Sequence, residues 1–137
     1  AAKDELVGAI DADTEAFNEV LAALRLAKDT PEQVAARSAA IRAGYKSAAR
    51  VPLRTAQLCR AVLDLCRAAA DLGNQAVMSD AAVGALMAYA GIQGAIHNVR
   101  INLPHTKDPD FIAEMESALG SLLADSRTIC DGIQGRL

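Results

Sequence analysis

The chain has no tryptophan and only two phenylalanines and two tyrosines among 137 residues. Strands need aromatic and β-branched residues in alternation, and no window supplies them, which excludes a β-rich fold. Cysteine is scarce and odd in number, at Cys59, Cys66 and Cys130. Three thiols make no disulfide framework and read as reduced cysteines of a cytoplasmic protein. Cys59 and Cys66 share one helical face, but no histidine stands near them, so small core residues are a better reading than a metal pair. Neither sign of charge dominates: 14 Lys and Arg face 17 Asp and Glu, for a net charge of −3 and a pI near 5.3. The basic residues are spread along helix faces, which argues against nucleic acid as a partner. A basic leader before an apolar run is missing, so no signal peptide is expected. The uncharged run from Ala81 to Ile96 is short for a bilayer and rich in Ala and Gly, so it reads as a buried helix, with no membrane partner. There is no Ser/His/Asp or Cys/His arrangement, no phosphate-cradling glycine loop and no metal-ligand spacing, so no metal site is expected. His97 and His105 read as packed helix residues.

Apolar residues make up 52% of the chain and alanine alone supplies 30 positions. Alanine carries the best helix propensity and lets helices approach closely. The expected fold is all-α, one domain over residues 1–137, a bundle of about five long, antiparallel-leaning helices. The first runs from about Ala2 to Leu26 on a stripe of Leu6, Ile10, Phe17, Val20, Leu21 and Leu24. The second opens at the capping box Thr30-Pro31-Glu32-Gln33 and ends or kinks at Val51-Pro52. A third follows from Pro52 to Leu72 and stops at Gly73-Asn74, a left-handed helix end. Ser79 caps a fourth, with Asp80 in its first turn, which runs to Asn102 before Pro104. The fifth spans Asp108 to Gln134.

Three features do not fit a plain bundle. Asp13 falls on the apolar stripe with Ile10, Phe17 and Leu24, and Asp11, Thr14 and Asn18 form a polar strip beside it. A carboxylate there is costly unless paired or facing a pocket. It is either a buried acid satisfied by an arginine or helix end, or a general acid–base group. Gly84, Ala88, Gly91, Ala95, Asn98 and Asn102 line one seam of the fourth helix. Small residues admit a neighbouring backbone, in the chain or across a dimer, or a flat ligand. The asparagines either orient a substrate or bond a neighbouring helix. Ser79-Asp80 reads as capping or as a site. Asp80 and Asn98 are 18 residues apart, about 27 Å at about 1.5 Å per residue, so one subunit cannot bring both to one reacting atom.

At these positions the sequence resembles the formimidoyltetrahydrofolate cyclodeaminase and methenyltetrahydrofolate cyclohydrolase family. The resemblance covers nearly the whole chain. It is carried by Ile10-Asp11-Ala12-Asp13-Thr14-Glu15-Ala16-Phe17-Asn18, by Arg25-Leu26 before Thr30-Pro31-Glu32, and by Val51-Pro52-Leu53. Gly73-Asn74, Ser79-Asp80-Ala81 and Asn98-Val99-Arg100-Ile101-Asn102-Leu103 complete it. It implies an all-helical homodimer that binds a tetrahydrofolate derivative near the subunit interface and needs no cofactor. Cyclodeamination turns the 5-formimidoyl compound into the 5,10-methenyl form with loss of ammonia; cyclohydrolases open the same ring with water. A non-catalytic dimerisation module using the Gly84/Gly91 seam is the alternative from another class. The resemblance assigns the catalytic acid to Asp13. It makes Ser79, Asp80, Asn98 and Asn102, with Asp11 and Phe17, substrate-binding or interface supports. The resemblance begins after the family's opening glycine- and alanine-rich helix, of Pro-Gly-Gly-Gly-Ser type, and Ala27 stands where the family commonly has proline.

Overall fold

A computed structural model describes residues 1–73 and 75–137. Asn74, expected to share the helix end with Gly73, lies outside the described residues. The chain folds as α1 (Ala2–Leu24), α2 (Pro31–Asp71), α3 (Gln75–Thr106) and α4 (Pro109–Gln134). Polar ties between neighbours fix an up-down-up-down order. Arg37, early in α2, donates to the Leu24 carbonyl at the end of α1 at 3.0 Å, while Arg54 pairs with Glu5 at the other end. Arg100 late in α3 makes a two-pronged ion pair with Glu116 in α4, and Gln134 Nε2 donates to the Ala82 carbonyl at 2.8 Å.

The described residues form four helices rather than the expected five, because α2 runs unbroken through Pro52 for 41 residues. Proline removes the N–H that would bond the carbonyl four residues back, here that of Ala48. Asn102 of α3 fills the gap, its Nδ2 donating to the Ala48 oxygen at 3.3 Å and to the Asn98 oxygen at 2.9 Å. With that carbonyl partnered and Pro52 buried among its neighbours, packing outweighs the local penalty.

The other helix ends divide in the same way. Thr30 Oγ1 accepts from the Gln33 N–H at 3.3 Å and Gln33 reaches back to the Thr30 N–H, completing the capping box. Asp108 caps α4 by accepting from the Phe111 N–H at 3.0 Å. Gly73 follows α2 with φ +77°, a conformation that glycine adopts without a Cβ clash. Two expected boundaries are wrong. Ser79 is not a cap, because α3 already starts at Gln75, and Met78, packed against the core, rewards the extra turn. Pro104 does not end α3, which continues to Thr106 before Lys107 turns the chain with φ 50°.

The core sits between α2, α3 and α4, around Leu63, Ile92, Ile96, Val99, Leu119 and Ile133, all at most 2% exposed. Glycines bring α3 onto α2. A Cβ added to Gly91 would stand 2.9 Å from Cys59 Sγ, and one on Gly84 would stand 3.0 Å from Cys66 Sγ. The Gly84/Gly91 seam is therefore spent inside the chain, against the two cysteines, and burial pushes both thiols above their ordinary pKa. Helix α1 is set apart. Ala16, Val20 and Ala48 form a small separate cluster between α1 and α2, at a crossing where Gly44 lies against the Val20 backbone.

Candidate active site

Helix α1 packs on α2 alone. No Cα of α1 lies within 8 Å of one in α3, so among the described residues the two helices leave a cleft floored by α2. Small residues explain the arrangement. The buried contact face of α1 is Ala16, Val20 and Ala23, one helical stripe, while its larger residues Ile10, Phe17 and Leu24 are all more than 40% exposed. Periodicity joins those three to Val20 on one apolar stripe, as though they shared one buried face. The structure corrects this, since alanines allow the closer approach to α2 and push the bulky side chains to the flanks. Asp13 moves with them. It is an exposed carboxylate at the cleft and not a buried acid on an apolar seam.

The cleft has two open compartments. The larger, about 520 Å³, lies between Leu6 and Ile10 of α1, Pro52 and Thr55 of α2, and Gly91 and Gly94 of α3. The smaller, about 330 Å³, is lined by Phe17, Tyr45, Ile101, Asn102 and His105. Asp13 and Asn98 line both, so a carboxylate and a side-chain amide stand where the compartments meet. The Thr14 hydroxyl, beside Asp13, donates to the Ile10 carbonyl at 3.1 Å. The Asn102 amide nitrogen is committed to Ala48 and Asn98, so this residue holds the floor of the smaller compartment together. Tyr45 and His105 stack there, with ring centroids 4.5 Å apart and planes at 23°.

Four of the expected site residues, Asp13, Phe17, Asn98 and Asn102, therefore meet in one cleft. Three do not. Asp11, two residues from Asp13 on the helix, lines neither compartment, and Ser79 and Asp80 are exposed at the opposite end of α3. The continuous α3 keeps the 18-residue separation of Asp80 and Asn98 a straight helical one. Tyr45, Thr55 and His105 were not anticipated. The signal for His105 was present, since Asn98, Asn102 and His105 continue the four-and-three spacing of the seam. Ending the helix before Pro104 hid it.

The Asn102 clamp and the Tyr45–His105 stack give the cleft a fixed floor and one aromatic wall. Asp13 is the only carboxylate among the described residues that line it. Such an arrangement suits a long, partly flat ligand whose proton-exchanging atoms lie at its middle.

Known proteins share the fold and the sequence pattern. A solved formiminotetrahydrofolate cyclodeaminase from Thermotoga maritima superposes with a TM-score of 0.83 over 98% of this chain and 63% of its own, at 23% identity, and so shares the fold. Methenyltetrahydrofolate cyclohydrolase of Methylorubrum extorquens is 41% identical over 93% of the chain. Formimidoyltransferase-cyclodeaminase of Sus scrofa is 38% identical over 93% of it. The chain spans 62% of the length of the first of these relatives and 24% of the second. The profile of the family described as Formiminotransferase-cyclodeaminase matches residues 1–121, and the chain belongs to that family.

Proposed function

We propose that this chain transforms tetrahydrofolate derivatives at the α1–α3 cleft, as a cyclodeaminase. The observation that carries the reading is the position of Asp13 and Asn98 at the meeting of the two compartments. In 5-formimidoyltetrahydrofolate the reacting carbon lies between the pterin ring and the aminobenzoyl ring. A ligand with one ring in each compartment brings that carbon to Asp13. N10 attacks the carbon of the protonated formimidoyl group and a C–N10 bond forms. Asp13 takes the N10 proton and passes it to the departing nitrogen. The C–N bond to that nitrogen breaks, ammonia leaves, and the 5,10-methenyl cation remains. The substrate itself supplies the bond made and the bond broken, and the protein has only a proton to move, so we propose no metal or nucleotide cofactor. Ring closure is intramolecular, so a held, bent substrate supplies much of the rate. Acid–base catalysis by one placed group contributes about 10²–10⁴-fold.

A second reading, ring opening of the 5,10-methenyl form by water at the same carbon, is favoured by the 41% identical relative, named as a cyclohydrolase. The same cleft and the same acid serve both reactions.

We also propose a homodimer, with a second copy covering the uncharged outer stripe of α3. Val83, Met87 and Ile101 stand 59%, 71% and 70% exposed there, with Gly94 of the cleft among them. A copy seated on that stripe would roof the larger compartment. Asp11, Ser79 and Asp80, placed outside the cleft, would then serve the interface. No helix among the described residues is long and apolar enough to cross a membrane, and the expected cytoplasmic location stays part of this proposal.

The test supplies 5-formimidoyl- and 5,10-methenyltetrahydrofolate while the methenyl absorbance is followed, and sediments the same preparation. Turnover of one substrate, a drop of about 10²–10⁴-fold for Asp13→Asn and a dimeric mass are expected. Turnover of neither substrate removes the function. Full activity of Asp13→Asn removes the assigned acid, and a monomer mass removes the dimer. Self-association without folate binding would instead favour the non-catalytic dimerisation module.

A further inference from the structure

The cleft is asymmetric, and its asymmetry has a polarity. From Gly91 to His105, its two ends on α3, it runs 14 residues, about 21 Å at about 1.5 Å per residue. One end is wide, at about 520 Å³, and bounded by Gly91, Gly94 and Pro52 with the aliphatic Leu6 and Ile10. The other is narrower, at about 330 Å³, and holds one of the chain's two phenylalanines, one of its two tyrosines and a histidine. Phe17 is 56% exposed and faces that end. An exposed phenyl ring facing a stacked Tyr45–His105 pair across a small cavity is a place for a single flat ring.

Charge supplies the second, independent asymmetry. Beyond His105, where α3 ends and α2 carries its early turns, lies a third open cavity of about 440 Å³ whose charged lining is Arg42, Lys46 and Lys107 against the one carboxylate of Asp108. Lys46 is held by Asp108 at 2.6 Å, and among the described residues Arg42 donates to the neutral Ser38 hydroxyl at 3.1 Å and pairs with no carboxylate. Lys107 is exposed on the left-handed turn. Arg42 lies one helical turn before Tyr45, so this cationic end continues from the aromatic compartment and not from the glycine-lined one. No lysine or arginine stands among the described residues that line the larger compartment.

A folate derivative is a fused two-ring pterin, a single benzoyl ring and a glutamate with two carboxylates, in that order. Resting on the function proposed above, we propose that the substrate lies in one direction along the cleft: pterin over Gly91 and Gly94, benzoyl ring between Phe17 and the Tyr45–His105 stack, glutamate toward Arg42 and Lys107. The larger ring then takes the larger compartment and the single ring takes the aromatic one. The anionic end meets positive charge, and the N5–N10 bridge falls at Asp13 and Asn98. The reverse direction would put two carboxylates in a compartment lined by no lysine or arginine among the described residues, and leave Arg42 and Lys107 without an anion.

Split ligands test this without any turnover. With isotope-labelled protein, a soluble pterin and p-aminobenzoyl-glutamate are titrated separately, followed by intact folate. Pterin is expected to shift the amide signals of Gly91 and Gly94. p-Aminobenzoyl-glutamate is expected to shift those of Tyr45 and His105, and Arg42→Ala should weaken that fragment about tenfold while leaving the pterin unchanged. Swapped compartments, one compartment for both fragments, or equal weakening of both by Arg42→Ala overturns the direction. A protein that responds to none of the three ligands overturns the folate reading itself, which the same titration shows as a separate result.

Discussion

Helices α1 and α4 have nearly the same length, 23 and 26 residues, and each flanks the α2–α3 pair, yet they do opposite work. Helix α4 packs on both α2 and α3 and sends Phe111, Met115, Leu119, Cys130 and Ile133 into the main core. Helix α1 touches α2 alone and buries Ala16, Val20 and Ala23. Where a helix offers large residues, the bundle closes around it. Where it offers alanines, it lies close to one neighbour and stands off from the next. The cleft is the product of that second choice, and the carboxylate assigned to the chemistry rides on the helix that leaves the cleft open.

Cavity-forming substitutions are the sharpest way to break this comparison. Leu119→Ala in α4 empties a site with no exposure and should cost about 2–5 kcal/mol. Val20→Ala in α1 removes two methyl groups from the small cluster, worth about 1.6 kcal/mol at about 0.8 per carbon. Urea unfolding of both variants checks the ranking. Equal losses would mean that α1 is as firmly part of the core as α4.

The sequence was a good guide wherever local chemistry decides the structure. The Thr30 capping box, the Asp108-Pro109 start and the left-handed Gly73 are all read from neighbours in the chain, and all three form. It misled wherever a distant side chain overrides a local rule. Pro52 should end a helix, but Asn102, 50 residues later, accepts the task of satisfying the Ala48 carbonyl. Helix α3 likewise continues past Pro104 to Thr106, which carries His105 onto the seam. The site was partly legible for a related reason. The resemblance named Asp13, Phe17, Asn98 and Asn102, while the faces on which they lie depend on how closely alanine lets α1 approach α2, which periodicity alone does not weigh. Ile10, Phe17 and Leu24 do fall on one apolar stripe, but the closer packing of Ala16 and Ala23 leaves that stripe at the edge of the contact.

The floor beneath the cleft is the next place to press. Asn102→Ala leaves the buried Ala48 carbonyl without its partner, an expected cost of about 1–3 kcal/mol. Pro52→Ala, added to that variant, restores a backbone N–H four residues after Ala48 and should recover most of the loss. Thermal unfolding of the single and double variants measures both. A double variant no more stable than Asn102→Ala would break the link between proline and asparagine, and Asn102 would then act on the ligand alone.

The smallest effects compare the joints that hold the two flanking helices. Glu5 and Arg54 tie α1 to α2 as an exposed pair, about half accessible on each side, and such pairs add little. Asp108 does more at the root of α4. Its hydrogen bond from Lys46, then that from the Phe111 N–H, hold its carboxyl below the ordinary carboxylate range. Lys46 also lies 5.3 Å from the Phe111 ring centroid, so one cation serves the cap and the core edge. Because folding lowers this pKa, the contribution is complete above the unfolded value of about 3.9. It is lost as pH falls from there through the lowered folded value. Asp108→Asn keeps a side chain that caps helices as well as aspartate does, so it removes the charge and spares the cap. The variant should melt below the parent at neutral pH, and the gap should close as melting is repeated toward about pH 2. Glu5→Gln should leave the melting temperature nearly unchanged at neutral pH. If Glu5→Gln matched Asp108→Asn in size, α1 would be fastened by charge as firmly as α4, and the contrast between the closed and open sides of the bundle would rest on side-chain size alone.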